Sequence, residues 1–413
     1  MRILHVNKFL YRRGGAESYL LDVAERQRAA GHEVELFGMQ HPANPPLTYA
    51  GLFPSQLDLE DPPASLSGRV RATARMVYSA ESRRGLAAVL REFEPDVVHM
   101  HNIYHQLSPS ILRATRDAGV ATVMTLHDYK LACPSYLMLA GSEVCEDCLD
   151  GHFLRHAVAT RCKDGSLTAS VVLAAESTIQ RRIGAYDPVQ AFLCPSRFLA
   201  GVMTRAGVYV DRLVVVPNFI DAQPITPKSS PGGGVVYAGR LSEEKGVTTL
   251  VEAAGRMPSL RVDIVGDGPQ RAALRSLADQ VAPGRVTFHG RVSRQQVLDL
   301  MRANAVAVLP SYCHENQPMA ALEAFACGLP VVASALGGLP EAIPESCGVL
   351  VPPRDPGALA RQLDRLVGDP AAAFSMGRTA REHVVAQYAP GRHLQALAEI
   401  YDRAMSTTSA GVG

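Results

Sequence analysis

Short apolar runs alternate with stretches of helical period along almost the whole chain. Arg2–Val6 is such a run, and Gly14-Gly15 and a helical stretch, Ala16 to Ala30, follow it. Gly31 ends that stretch, and Val34–Phe37, Val97–Met100, Ala121–Leu126 and Val189–Cys194 continue the series. These runs are short and apolar with polar ends, as strands of a parallel sheet covered on both faces are. Residues 67–93 read as one helix, and the Pro-rich residues 44–63 as a loop. Between Pro224 and Gly234 the chain is punctuated by Pro, Ser and Gly, which marks a linker. The alternation then restarts with strands Val235–Ala238, Arg261–Val265, Val286–His289, Ala305–Leu309 and Val331–Ala333. Helices over Gly246–Gly255, Gln270–Gln280, Arg294–Ala303 and Met319–Cys327 separate them.

Strands alternating with helices of this length imply βαβ units. The fold class expected is α/β, with two doubly wound Rossmann-like domains facing across a cleft. Their expected bounds are 1–216, a linker at 217–233, and 234–388. A last helix, 389–405, is long enough to return to the first domain, and 406–413 reads as a disordered tail. Ligands of such sheets sit at the carboxyl ends of the strands.

Composition narrows the function classes. The 413 residues are 47% hydrophobic and carry a net charge of +1, which argues against a general nucleic-acid binder. The opening Met1–Val6 reads as a strand and not as a secretion signal, and no apolar run is long enough to span a bilayer. The expectation is a cytoplasmic protein, in which eight cysteines are free or metal-bound rather than disulfide-bonded.

The stretch His314-Glu315-Asn316-Gln317-Pro318-Met319-Ala320 and onward carries the most specific chemistry. Pro318 suits the first position of a helix and Gly328 a left-handed cap beyond its end. Glu315 then lies before the helix and Glu323 inside it, with the free amides of residues 319–321 between them. Such an amide end binds phosphate or diphosphate. A carboxylate accepts two hydroxyl bonds at once, so Glu323 suits a ribose and Glu315 a sugar beyond the phosphates.

The match extends past the glutamates. The stretch resembles the E-x7-E motif of retaining glycosyltransferases of family 4, which have the GT-B fold. Ala324–Ala333 resembles "EAMACGxPVVA", Gly239–Gly246 resembles "GRLxxEKG", and Val215–Asp221 resembles "VIPNGID", with Phe219 in place of Gly. Gly266–Pro269 resembles "GxGP", and Gly337–Glu341 resembles "GGxPE", where a turn and helix cap would suffice.

The resemblance implies a nucleoside-diphosphate sugar donor and a hydroxyl acceptor, with no cofactor required for catalysis. Arg240 and Lys245 would stabilise the leaving diphosphate, Glu315 the sugar, and His127 would stand near the donor. Gly14, Gly15, Asn218, Gly239, Gly266, Asn316, Gln317, Pro318, Met319, Ala320 and Glu323 form the implied donor-binding set. His101 and Asn102, at another strand end, would line the acceptor side.

Two features lie outside this scheme. Cys133, Cys145, Cys148 and Cys162 include a C-x2-C pair and read either as a structural zinc knuckle in an insertion at 133–162 or as free thiols. Arg69, Arg71, Arg75, Arg83, Arg84 and Arg91 fall on one expected helix, which reads either as a solvated face or as a peripheral contact with the inner face of the membrane. A non-catalytic nucleotide-sugar binder and an NAD(P) oxidoreductase are the rival functions; the latter lacks its G-x-G-x-x-G fingerprint.

Overall fold

The computed structural model describes residues 1–58 and 65–410. The chain divides into two compact units. One comprises Met1–Gly141, Cys145–Val216 and Leu394–Gly413, and the other Ser142–Val144 and Pro217–His393.

The first unit holds a parallel sheet of β1 (Arg2–Val6), β2 (Glu33–Phe37), β3 (Val97–Met100), β4 (Ala121–Thr125), β5 (Ala191–Cys194) and β6 (Leu213–Val215). Its order is β2-β1-β3-β4-β5-β6. Helix α1 (Gly15–Ala29) connects β1 to β2, and α2 (Leu167–Arg182) precedes β5.

The second unit repeats the plan with β7 (Val235–Ala238), β8 (Val262–Val265), β9 (Val286–Gly290), β10 (Val306–Leu309), β11 (Val331–Ser334) and β12 (Gly348–Val351). The order is β9-β8-β7-β10-β11-β12. All pairs are parallel, and the order of strand addition reverses at β7: two strands are added on one side, then three on the other. That reversal point is where doubly wound sheets bind ligands.

Alternation along each strand builds a core on both faces. Val235, Tyr237, Val306, Val308 and Val332 join one buried cluster, with Leu250 of α3 (Val247–Gly255), Leu359 and Leu363 packed against them. Val236, Ala307, Leu309, Val331 and Ala333 join the other, with Leu322 and Phe325 from α4 (Met319–Ala326).

Several expectations need correction. Residues 67–93 form two helices, Leu66–Val77 and Ala80–Phe93. Ser79 breaks them: its side chain caps the second helix by accepting from the Ser82 amide, while its own amide donates to Ser108 and Ser110. The arginines therefore do not form one stripe. Arg75 binds Ser55 and Glu81, and Arg83 binds Asp117 at 2.7 Å. The Arg69 side chain lies outside the described residues, as do positions 59–63 of the Pro-rich loop. No helix among the described residues is long and apolar enough to cross a membrane. Residues 406–410 are not a loose tail but the end of α5 (Pro390–Ala410), while 411–413 lie outside the description. Tyr401 of α5 is 1% exposed in the first unit, and its burial holds the helix on.

Candidate active site

In the second unit the sequence-predicted residues gather where strands β7, β8 and β10 end. Gly239 and Gly266 follow β7 and β8 and meet back to back. Gly266 has φ +128°, and a Cβ there would lie 1.9 Å from the Gly239 carbonyl oxygen. Glycine is required because two backbones share that space. Arg240 is exposed, and its carbonyl accepts from the Tyr237 hydroxyl at 2.8 Å.

Lys245 sits in a turn whose end, Gly246, has φ +65° and touches the Pro310 carbonyl after β10. Its ammonium lies 2.7 Å from the Glu315 carboxylate, which also accepts from Ser311 at 2.6 Å. Burial alone would raise the Glu315 carboxyl and lower the Lys245 ammonium. Their mutual attraction overcomes both, holding Glu315 below and Lys245 above the ordinary range. One Glu315 oxygen is thus already engaged.

The backbone of Glu315 is held separately. Gly338 donates to the Glu315 carbonyl at 2.6 Å, and a Cβ at Gly337, where φ is +62°, would lie 2.5 Å from the same oxygen. The Gly337-Gly338 turn, read from sequence as only a turn and cap, also cradles the carboxylate loop.

Pro318 is the cap of α4, not its first residue, with ψ of 118°. The Ala321 amide already donates to the Pro318 carbonyl, so the open amides are those of Met319 and Ala320, not all of 319–321. Residues 314–320 are half-buried, while 321–334 are buried throughout except at Glu323. Arg294 approaches Glu323 at 3.7 Å. Asn316 shares the half-buried loop, and the Gln317 carboxamide oxygen accepts from the Asn218 amide at 2.5 Å. Asn218 itself is 7% exposed, and its side-chain oxygen is buried without a hydrogen bond.

The first unit holds the remaining predicted residues. Gly14 and Gly15 are exposed at the start of α1; Gly14 has φ −159°, which any residue adopts. His127 follows β4, and its Nε2 lies 3.1 Å from His101 Nδ1. Burial pushes His127 down to about 3, so the ring is neutral. His101 is fully buried and Asn102 is tied to Asn7 and Tyr104. Both side chains are buried, and His101 is placed behind His127, which is the more exposed of the two histidines.

The four cysteines are reduced; Cys133 and Cys148 are buried, Cys145 and Cys162 half-buried. Burial raises the Cys148 thiol, and the other three thiols raise it further. No three of the sulfurs stand within 4.8 Å of one another, so an ion would have to draw them in.

Sequence reasoning missed a buried ionic cluster. Glu176 of α2 is 1% exposed and binds Lys130 at 2.8 Å and His105 at 2.9 Å. Its signal was a lone carboxylate directly after the apolar run Val171–Ala175.

Two family descriptions match this chain: "Glycosyltransferase Family 4" over residues 13–224 and "Glycosyl transferases group 1" over residues 232–369. The chain belongs to glycosyltransferase family 4. A D-inositol 3-phosphate glycosyltransferase from Mycolicibacterium smegmatis is 38% identical over 214 residues, which is 47% of this chain and 48% of that relative. The match thus spans about half the length of that relative. Sucrose-phosphate synthase from Thermosynechococcus elongatus shares the fold, with a TM-score of 0.72 and 23% identity over 98% of this family 4 chain and 99% of that one. HepE from Anabaena, solved with UDP-glucose, superposes with a TM-score of 0.68 and 19% identity over 98% of this chain and 100% of its own. These matches give the GT-B architecture of two Rossmann-like domains.

Proposed function

We propose that this chain transfers a sugar, with retention of anomeric configuration, from a nucleoside-diphosphate sugar to a hydroxyl acceptor. One observation carries the reading. In a stretch buried from 321 to 334, Glu323 alone stays accessible, on the helix whose two open amides follow the half-buried Glu315 loop. The amides suit a diphosphate, Glu323 the ribose, and the unengaged oxygen of Glu315 the sugar. Arg240 and Lys245 supply charge where the leaving diphosphate develops its own, in place of a metal. The leaving phosphate takes the acceptor proton on the face from which the acceptor attacks. HepE's complex with UDP-glucose supports a UDP-sugar donor, and the relatives' names, D-inositol 3-phosphate glycosyltransferase and glycogen synthase, support an inositol or sugar hydroxyl as acceptor.

Binding tests the reading. UDP or GDP is expected to raise the melting temperature, and NADH to leave it unchanged. Glu323→Ala should weaken nucleotide affinity about tenfold to a hundredfold through lost ribose bonds. Binding unaffected by that substitution would remove Glu323 from the ribose site. A purely binding protein would show the shift without turnover of any nucleotide sugar.

The cysteine segment supports a structural zinc ion. Thiols that raise one another's pKa become ligands when a cation neutralises the thiolates. About one zinc per chain is expected by elemental analysis of purified protein, lost together in a Cys145→Ser, Cys148→Ser double variant. Metal-free protein that keeps its full melting temperature would reject it.

A further inference from the structure

A line of buried side chains runs behind His127. His127 Nε2 meets His101 Nδ1 at 3.1 Å, and His101 Nε2 meets His5 Nδ1 at 3.0 Å. His5 Nε2 meets the Gln27 carboxamide oxygen at 2.7 Å. The Gln27 amide nitrogen donates to the Tyr401 hydroxyl at 3.2 Å. Tyr401 meets His99 Nδ1 at 2.7 Å, and His99 Nε2 meets Thr125 Oγ1 at 2.7 Å. His5 and His99 are register partners on β1 and β3, so the sheet itself aligns the rings. His5, His99 and His101 have ligand-type nitrogens within 4.8 Å of one another. Every one of those nitrogens already has a partner, which favours a hydrogen-bonded line over a metal site.

Proton counting constrains this line. A neutral imidazole has one N–H and one bare nitrogen, so a ring between two partners must donate to one and accept from the other. Burial lowers His5 to about 4 and His101 well below its ordinary value, so the rings are neutral. With the Gln27 oxygen toward His5, each of His5, His101 and His127 donates from Nε2. Tyr401, accepting from Gln27, gives its own proton to His99 Nδ1, and His99 donates from Nε2 to Thr125. Turning the Gln27 amide over reverses every bond and moves the proton to Nδ1 in all four rings. Along Gln27, His5, His101 and His127 no intermediate pattern keeps every bond. In the arrangement with the Gln27 oxygen toward His5, His99 shares the pattern because Tyr401, buried, then places its one proton on His99 Nδ1 and leaves no hydroxyl proton unpartnered. The line passes through the Gln27 amide, which neither takes up nor releases a proton at ordinary pH, so it orients protons without conducting them away.

We infer that Gln27 is a positioning residue that sets, through His5 and His101, which ring nitrogen of His127 carries its proton, and that His5, His99, His101 and His127 share one tautomer. In the arrangement observed, His127 keeps a bare Nδ1, an acceptor for a hydroxyl. That last consequence rests on the proposed transfer reaction; the shared tautomer does not.

The full chain labelled with 15N-histidine tests this at pH 7 without substrate, by long-range proton–nitrogen correlation of the ring nitrogens. Assignment comes from single His→Gln variants. All four rings are expected as neutral Nε2–H tautomers. One ring of the four in the opposite form, or charged, overturns the inference. In Gln27→Leu, the uniform signature of His5, His101 and His127 should be lost. UDP affinity should hold while transfer falls about tenfold, the effect of one misplaced hydrogen bond. Unchanged tautomers in that variant overturn the role of Gln27. If Gln27→Leu does not fold, the wild-type spectrum decides. If wild-type protein shows the shared tautomer but binds no nucleotide sugar, the transfer reading fails and the relay stands.

Discussion

Replacing Lys245 with alanine is expected to cut sugar transfer by about a hundredfold or more. The side chain is held by a 2.7 Å ion pair to Glu315, and Gly246 keeps its turn against the Pro310 carbonyl. The charge is therefore fixed before the donor arrives, which is what makes a cation effective at a developing negative charge. Removal also leaves Glu315 with its carboxylate held only by Ser311, so the sugar's partner moves as well. The loss should fall on kcat more than on donor affinity, because in the proposed reading the nucleotide is held by the α4 amides and Glu323, which the substitution leaves in place. Lys245→Arg keeps the charge but not its compact geometry and should recover only part of the rate. Steady-state transfer with a nucleotide-sugar panel measures this. An unchanged rate in Lys245→Ala would take the lysine out of leaving-group stabilisation.

The second large effect concerns stability. Lys130→Met should destabilise the protein by about 3–5 kcal/mol, because it strands the buried Glu176 carboxylate. Lys130 is 3% exposed and also donates to the Pro134 carbonyl and Ser177. Burial would raise Glu176; Lys130 and His105 beside it instead hold it at about 2, below its ordinary 4.5. A depressed carboxyl stabilises the fold above the unfolded pKa. That contribution is lost as pH falls from about 4.5 through about 2. Urea midpoints across that window should drop more steeply for wild type than for Glu176→Gln. The Lys130→Met, Glu176→Gln double variant should be more stable than the sum of the two single losses, since neither charge is left alone. Additive losses would show that the pair is not coupled.

Much of the fold was legible because parallel strands covered on both faces are apolar throughout. Val97–Met100 and Val235–Ala238 fall where the apolar runs place them. β12, Gly348–Val351, and the helices Pro356–Gly368 and Pro370–Gln387 were not assigned. The strand is only four residues long and begins with glycine, so it carries little pattern of its own. The break at Ser79 was hidden for another reason. Helical period continues across it, and what breaks the helix is a set of bonds to Ser108 and Ser110, far along the chain.

Local sequence sufficed wherever the physics is local: apolar alternation for strands, a proline and a glycine bracketing α4, and the spacing of Glu315 and Glu323 around its amides. It did not reveal that Lys245 and Glu315, seventy positions apart, form one ion pair, or that Gly337-Gly338 hold the glutamate loop. Nor did it reveal that Gln27 and Tyr401 stand on one line of side chains with His127. Those facts depend on which strands become neighbours. A charge or an imidazole has no defined partner, and so no defined protonation state, until the sheet order brings distant residues within hydrogen-bond reach.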